Sequence, residues 1–307
     1  MSVAFLFPGQ GSQSTGMGKA LHEAYTSARR VFEEADEALG FAISSVCFEG
    51  PDDQLRLTEN TQPALLTVSV AALAVLRENG LQPAYVAGHS LGEYSALVAA
   101  GALEFADAVR LVRKRGQYMQ QAVPAGVGAM AALLKMPETA LDRVLAEAAQ
   151  GEVVTAANLN SPDQIVIAGH AAAVNRAMEL AKAAGAKRAV LLPVSAPFHC
   201  PLMQPAQTRL STDLEATQFS DLAIPLINNW QAREVTTGAE AREGLYHQVP
   251  NPVRWHESIR VVASKGVDRF VEVGAGAVLT GLLRNIDSSW KCTKFGDPAD
   301  LEKALGS

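Results

Sequence analysis

The stretch "VAGHSLGEYSALVAAG" (residues 86–101) decides how the chain is read. An apolar strand pattern over 84–88 leads into it, and an apolar helix pattern over 91–100 stops near Gly101. Between the two, Gly88-His89-Ser90-Leu91-Gly92 fits G-x-S-x-G in the strand–turn–helix context that this spacing requires. Two glycines suit a turn so sharp that Cβ atoms at 88 and 92 would obstruct the neighbouring backbone. Such a turn lifts Ser90 to the mouth of a sheet, beside the unpaired amides of a helix start. The Leu91 amide is then placed to receive negative charge. A serine that merely capped the helix would need neither glycine.

Outward from this turn, "VAFLF" (3–7) reads as a buried strand and "PGQGSQSTGMG" (8–18) as a glycine-rich loop before a helix at 19–38. Helices are predicted over 61–78, with Pro63 in the first turn, and over 104–121. Strands joined through helices imply a mostly parallel sheet covered on both faces. After Pro124 the rhythm changes. Strand patterns at 127–136, 153–160, 164–170 and 187–194, with helices at 137–150 and 171–184, give the β-α-β-β-α-β order of a split βαβ unit. This unit reads as a small domain inserted into the larger one. The chain returns through "SAPFHCPLMQ" (195–204), and "VDRFVEVGAG" (267–276) supplies a late strand and glycine loop before a terminal helix.

The chain has 307 residues, 48% of them hydrophobic and 19% charged, which is ordinary for a globular protein. Its net charge of −6 argues against nucleic acid as the main partner. Cys47, Cys200 and Cys292 are odd in number and widely spaced, so neither a zinc site nor a disulfide framework is expected, and a reducing cytoplasm is. The start lacks a basic region, and Pro8-Gly9 breaks its apolar run, unlike a signal peptide. The apolar stretch 64–76 is too short to cross a bilayer of ~30 Å.

A nucleophilic serine needs a base. Of the six histidines, His22 is expected on an exposed helix face, His170 in a loop, and His89 as a wall residue pointing away from Ser90. His199, stiffened between Pro197 and Pro201, fits best, with His247 and His256 still open. No carboxylate lies near 199 to orient the ring; the proline-stiffened "HQVPNPVRW" (247–255) could supply a carbonyl instead. The order Ser90, Asp221, then His247 or His256 would instead suit an α/β-hydrolase. Within "VRLVRKRGQYMQ" (109–120), Arg115 lies beside an inward stripe of Val109, Val112, Gly116 and Met119. It is therefore expected to point toward the mouth of the sheet while Arg113 and Lys114 face water.

With these residues in view, the sequence closely resembles the malonyl-CoA:acyl carrier protein transacylases, in their free-standing bacterial form. The resemblance is carried by "FPGQGSQ" (7–13), "GHSLGEYSAL" (88–97), "APFHCPLM" (196–203) and "QVPNPVRW" (248–255), in that order. "NLNSPDQIVIAG" (158–169) and "VEVGAGAVLTGL" (271–282) extend it over nearly the whole chain. Cys200, where the family often has serine, and Ala275, where proline is common, depart from the pattern.

The resemblance implies an α/β fold: a hydrolase-like parallel-sheet domain (1–123 and 196–307) carrying a smaller ferredoxin-like α+β domain (124–195). It implies that Ser90 is acylated, that His199 is its base, and that the Gln248 main-chain carbonyl orients the ring. The amides of Gln10 and Leu91 would form the oxyanion hole, and Arg115 would grip the malonyl carboxylate. Asn160 either reaches the cleft or simply forms a turn. The partners implied are malonyl-CoA and an acyl carrier protein, with no nucleic acid, membrane, metal or resident cofactor, since coenzyme A and phosphopantetheine enter as parts of the substrates. A cytoplasmic monomer serving fatty acid or polyketide synthesis is the expectation. An acidic carrier would need a local basic patch, for which Arg113 with Lys114, Lys187 with Arg188, and Arg284 are candidates.

Overall fold

Alternation along the first strand builds two cores. In the computed structural model, which describes residues 2–194 and 196–306 apart from the Glu138 side chain, strand β1 (Val3–Phe7) is buried throughout. Val3, Phe5 and Phe7 pack on one face with the helix Thr58–Glu78 and the helices Thr26–Leu39 and Phe105–Gln121. Ala4 and Leu6 pack on the other face with Trp255 and Ile259 of the helix Trp255–Ser264 and with Leu279, Leu282 and Leu283 of the helix Val278–Ile286. A strand covered on both sides reads as a continuous apolar run, which is why "VAFLF" shows no polar alternation.

The remaining strands are β2 (Tyr85–Gly88), β3 (Gly128–Leu134), β4 (Val154–Ser161), β5 (Gln164–His170), β6 (Arg188–Leu191), β7 (Leu226–Ile227), β8 (Glu234–Val235), β9 (Arg269–Val273) and β10 (Lys291–Phe295). Among the described residues they form a six-stranded sheet in the order β10-β9-β1-β2-β7-β8 and a four-stranded sheet in the order β4-β5-β3-β6. The larger sheet is parallel except where β8 returns against β7. The smaller is antiparallel throughout, and the helices Glu138–Ala149 and Ala171–Ala183 contribute to a separate apolar core with it. The chain is thus mixed α/β with a largely parallel main sheet. Met1, Ser195 and Ser307, which fall at the limits of the expected domain ranges, lie outside the described residues.

The two sheets are stitched together by backbone. Val253 donates to the Ala157 carbonyl (2.9 Å) and accepts from the Leu159 amide (2.9 Å), forming a parallel bridge beside β4. His256 Nδ1 lies 3.1 Å from the Leu159 carbonyl, where it donates from the adjoining helix.

Several expected elements need correction. The helix expected at 19–38 is two helices, Lys19–Ala24 and Thr26–Leu39, separated by Tyr25 in an extended conformation. Short helices at Ile43–Glu49 and Asp52–Arg56 carry no strong periodicity and were not anticipated. The helix expected from 61 begins at Thr58, so Pro63 lies inside it rather than in its first turn. Proline has no N–H for the Glu59 carbonyl; Arg113 Nη1 donates to that carbonyl instead, at 2.9 Å. Arg113 therefore does not simply face water. Beyond the helix Val278–Ile286 the chain adds β10 and a short helix, Leu301–Leu305, so that helix is not terminal.

The turn at Ser90 is as crowded as its glycines imply. A Cβ on Gly88 would lie 1.9 Å from the Gly92 carbonyl, and one on Gly92 would lie 2.0 Å from the Phe7 carbonyl oxygen of β1. Both collisions are with backbone, so relief requires the start of the helix Gly92–Ala99 to move away from β2 in the first case and from β1 in the second. Gly92→Ala should therefore lose more than about 3 kcal/mol of unfolding free energy, or fail to accumulate as folded protein. Urea denaturation checks this, and an unchanged midpoint would show that the elbow relaxes freely.

Candidate active site

Ser90 and His199 meet across the carboxyl end of the main sheet. Both have left-handed backbone, with φ of 51° and 58°, a conformation that costs a non-glycine residue about 1–3 kcal/mol and persists only where surroundings enforce it. At Ser90 the enforcing groups are visible. Its amide donates to Asn229 Oδ1 (2.7 Å), and its carbonyl accepts from Gln248 Nε2 (3.0 Å). The Ser90 side chain does not cap the following helix. Its Oγ lies 2.7 Å from His199 Nε2.

His199 is buried, with Nδ1 2.9 Å from the main-chain carbonyl of Gln248. A carbonyl can only accept, so Nδ1 carries the proton and Nε2 presents a lone pair to the serine hydroxyl. Burial first, then the nearby Arg115 guanidinium, lower the imidazole pKa to about 3. The free ring is therefore neutral at pH 7. Gln248 ends the helix Gly238–Gln248 and is itself fully buried, so the carbonyl comes from a helix end rather than a surface connector.

The other histidines have different work. His247 stacks on Trp230 with ring centroids 4.0 Å apart. His256 binds the Leu159 carbonyl, and Asp221 accepts from the Gly238 amide at the start of a helix. The hydrolase ordering of Ser90, Asp221 and a late histidine is therefore not assembled. His22, expected on an exposed face, packs instead against Phe32 and Phe48. His170 closes β5 and accepts from the Val153 amide through Nδ1 at 2.9 Å. His89 forms part of the wall: it lies edge-on to Trp255 and pairs with Asn160 Oδ1 at 2.8 Å.

Arg115 is 1% exposed. Nη1 donates to Gln62 Oε1 (2.7 Å), while Nη2 donates to Gln248 Oε1 (2.9 Å) and reaches Ser90 Oγ (3.2 Å). Its carbon centre lies 5.4 Å from the Tyr94 ring. The guanidinium is thus held beside the nucleophile by neutral acceptors, with its charge available to an anion. Its helix neighbours are occupied elsewhere: Arg113 lies 3.8 Å from Glu59 and Lys114 pairs with Asp213 at 2.6 Å. As a docking patch this pair is weakened by its own counter-ions, whereas Lys187, Arg188 and Arg284 are exposed.

These groups border a cavity of about 280 Å³ between the two sheets, lined by Gln10, Ser90, Leu91 and Arg115 from one side and by Met130 and Asn160 from the other. Asn160 therefore reaches the cleft, and through His89 it links the two units. A Cβ on Gly9 would lie 2.4 Å from the His89 carbonyl oxygen, so glycine is what allows the 8–11 loop to run against the serine turn. Cys200 is buried, donates to the Pro197 carbonyl, and has its thiol pushed up to about 11 by burial, which keeps it protonated and inert.

Three participants escaped the sequence reading: Gln62, Asn229 and Glu93. Asn229 binds the Gly88 carbonyl (2.7 Å) as well as the Ser90 amide, and its own amide donates to Glu93 Oε2 (2.9 Å). Glu93 is the one carboxylate in the buried run "GEYSALVA", a signal that could have marked it. Nothing in "NNW" or "NTQPA" distinguishes Asn229 or Gln62 from ordinary polar residues.

The family model for the acyl transferase domain matches residues 4–293. The chain is 51% identical to a Bacillus subtilis malonyl CoA-acyl carrier protein transacylase, over 99% of this chain and 96% of that protein. An acyl carrier protein S-malonyltransferase from Vibrio cholerae superposes with a TM-score of 0.97 at 47% identity, covering 99% of both chains. A malonyl-transacylase solved in complex with its type II PKS acyl-carrier protein superposes with a TM-score of 0.97 at 44% identity, over 100% of this chain and 99% of that one.

Proposed function

The chain belongs to the acyl transferase family as a malonyl CoA-acyl carrier protein transacylase, and from that membership we propose a ping-pong cycle through a malonyl ester on Ser90. His199 Nε2 takes the hydroxyl proton as the serine oxygen attacks the thioester carbonyl. The amides of Gln10 and Leu91 hold the oxyanion. Protonated His199 then passes its proton to the departing coenzyme A thiolate. The phosphopantetheine thiol of the carrier protein enters the same cleft, gives its proton to His199, and attacks the ester carbonyl. The C–O bond to Ser90 then breaks, and His199 returns the proton to the departing serine oxygen. The single observation that carries this reading is the line from Ser90 Oγ through His199 to the Gln248 carbonyl, at 2.7 and 2.9 Å.

Arg115 supplies the acyl choice in this reading. Its fork meets both oxygens of the malonyl carboxylate, and pairing there offsets the positive charge that helps to lower the His199 pKa. A carboxylated substrate thereby makes its own base stronger. The cycle uses no metal or resident cofactor; coenzyme A and phosphopantetheine arrive as parts of the substrates. The antiparallel sheet with its two helices supports reading 124–195 as an inserted ferredoxin-like domain, with 1–123 and 196–307 as the hydrolase-like domain. No helix among the described residues is long and apolar enough to cross a membrane. We place the enzyme in the cytoplasm as a monomer, with an acyl carrier protein of fatty acid or polyketide synthesis as its partner, supported by the carrier-bound relative.

Malonyl-CoA alone should leave one malonyl group on the protein, mapped to the peptide that contains Ser90, and Ser90→Ala should carry none. Mass mapping decides it, and label on Cys200 instead would overturn the assignment.

A further inference from the structure

We propose that Glu93 is a positioning residue that fixes, through the side-chain amide of Gln248, the direction in which Arg115 faces the acyl carboxylate. The inference rests on the malonyl-transfer reading above and deepens it.

Glu93 is 1% exposed. Its Oε2 accepts from Gln248 Nε2 and from the Asn229 amide, each at 2.9 Å. The same Nε2 faces two more acceptors, the Ser90 carbonyl at 3.0 Å and Asn229 Oδ1 at 3.3 Å. That leaves Gln248 Oε1 turned toward Arg115 Nη2, at 2.9 Å.

A glutamine amide has nearly the same shape either way round, so its polarity is set by what surrounds it. Arginine only donates. A reversed Gln248 would press its NH₂ against the guanidinium and leave the carbonyl oxygen facing three acceptors. Glu93 supplies the carboxyl among those acceptors, and an ionised carboxylate makes the stronger hydrogen bond. The relay runs carboxyl, amide, guanidinium, and it fixes Arg115 Nη2, the nitrogen that also reaches Ser90 Oγ at 3.2 Å.

Polarity is the operative property, more than charge. Burial pushes the Glu93 carboxyl up to about 7, against the lowering effect of its hydrogen bonds to Asn229 and Gln248 and of the Arg115 charge. Protonated or not, the oxygen that faces two donors stays an acceptor. Turning the side-chain amide leaves the Gln248 main-chain carbonyl on His199 but withdraws the donor from the Ser90 carbonyl, a loss that malonyl and acetyl acylation share. Loss of the Glu93 acceptor should therefore slow both acylations and, through Arg115, also lower the malonyl-to-acetyl ratio.

Glu93→Gln keeps an oxygen for both donors, whereas Glu93→Met keeps the bulk and removes the acceptor. Each variant, with wild type and Ser90→Ala, is mixed with equal concentrations of malonyl-CoA and acetyl-CoA, and the ratio of the two labels is read by intact mass. Because both labels come from one sample, the ratio does not depend on the fraction folded. Glu93→Gln should hold the malonyl-to-acetyl ratio within about threefold of wild type, while Glu93→Met should lower it by about tenfold or more. A wild-type ratio in Glu93→Met, or an equal fall in Glu93→Gln, would overturn the relay while leaving the seryl transfer standing. Label on Ser90→Ala, or none on wild type, would overturn the transfer reading itself.

Discussion

Replacing His199 with glutamine should lower the rate at which malonyl-CoA acylates the protein by about 10²–10⁴-fold. The glutamine amide can fill much of the ring's space and can hydrogen-bond the serine, but it cannot take the proton from Oγ. The wild-type geometry is set for that transfer: 2.7 Å to the hydroxyl on one side of the ring and 2.9 Å to the Gln248 carbonyl on the other. Rapid-quench intact mass measures the first half-reaction alone, free of carrier-protein binding. A variant that acylates at near the wild-type rate would remove His199 from the role of base. His247, stacked on Trp230, and His256, bonded to Leu159, are not placed to inherit it.

The second large effect is a change of substrate. Arg115→Ala should lower malonyl kcat/KM by ~30-fold to several thousand-fold, corresponding to the roughly 2–5 kcal/mol of a desolvated charge pair. Acetyl transfer never used the contact and should hold or rise. Two features support that asymmetry. The guanidinium is anchored from behind by Gln62 and Gln248, so its fork is pre-positioned for a carboxylate. It is also, after burial, the next cause of the lowered His199 pKa, and its removal makes the base stronger for an uncharged acyl group. Arg115→Lys keeps the charge but loses the fork, and should recover little. Assays of both variants with malonyl-CoA and acetyl-CoA against one carrier protein check this. An equal loss on both substrates would assign Arg115 to the fold rather than to the acyl carboxylate.

Much of this arrangement was legible in the residues because a local rule stood behind each part. G-x-S-x-G marked Ser90 through crowding at a turn, and the collisions at Gly88 and Gly92 are that rule in space. Pro197 and Pro201 marked His199 by stiffness, and an inward helical stripe singled out Arg115 from its charged neighbours. The succession of strands and helices in the smaller unit followed from the β-α-β-β-α-β rhythm of its segments. Apart from Glu93, what escaped had no local signature. The two short helices between 43 and 56 take their support from packing on the helix Thr58–Glu78. β7, β8 and β10 are too short or too mixed in pattern to announce themselves. Asn229 and the side-chain amide of Gln248, a residue expected only for its main-chain carbonyl, lie 139 and 158 residues beyond Ser90, and only the folded chain brings them to its backbone.

The backbone seam between β4 and Val253 bears on how such enzymes can be recombined. A foreign cassette for 124–195 would bring its own register at the positions of Ala157 and Leu159, the two groups that grip Val253. A slip of one residue there would exchange the faces of that strand and pull on the segment that runs back to the carbonyl behind His199. Exchange of the small unit therefore also reaches the carbonyl that holds the His199 ring, and crossover points for chimeric transferases belong outside both halves of the seam.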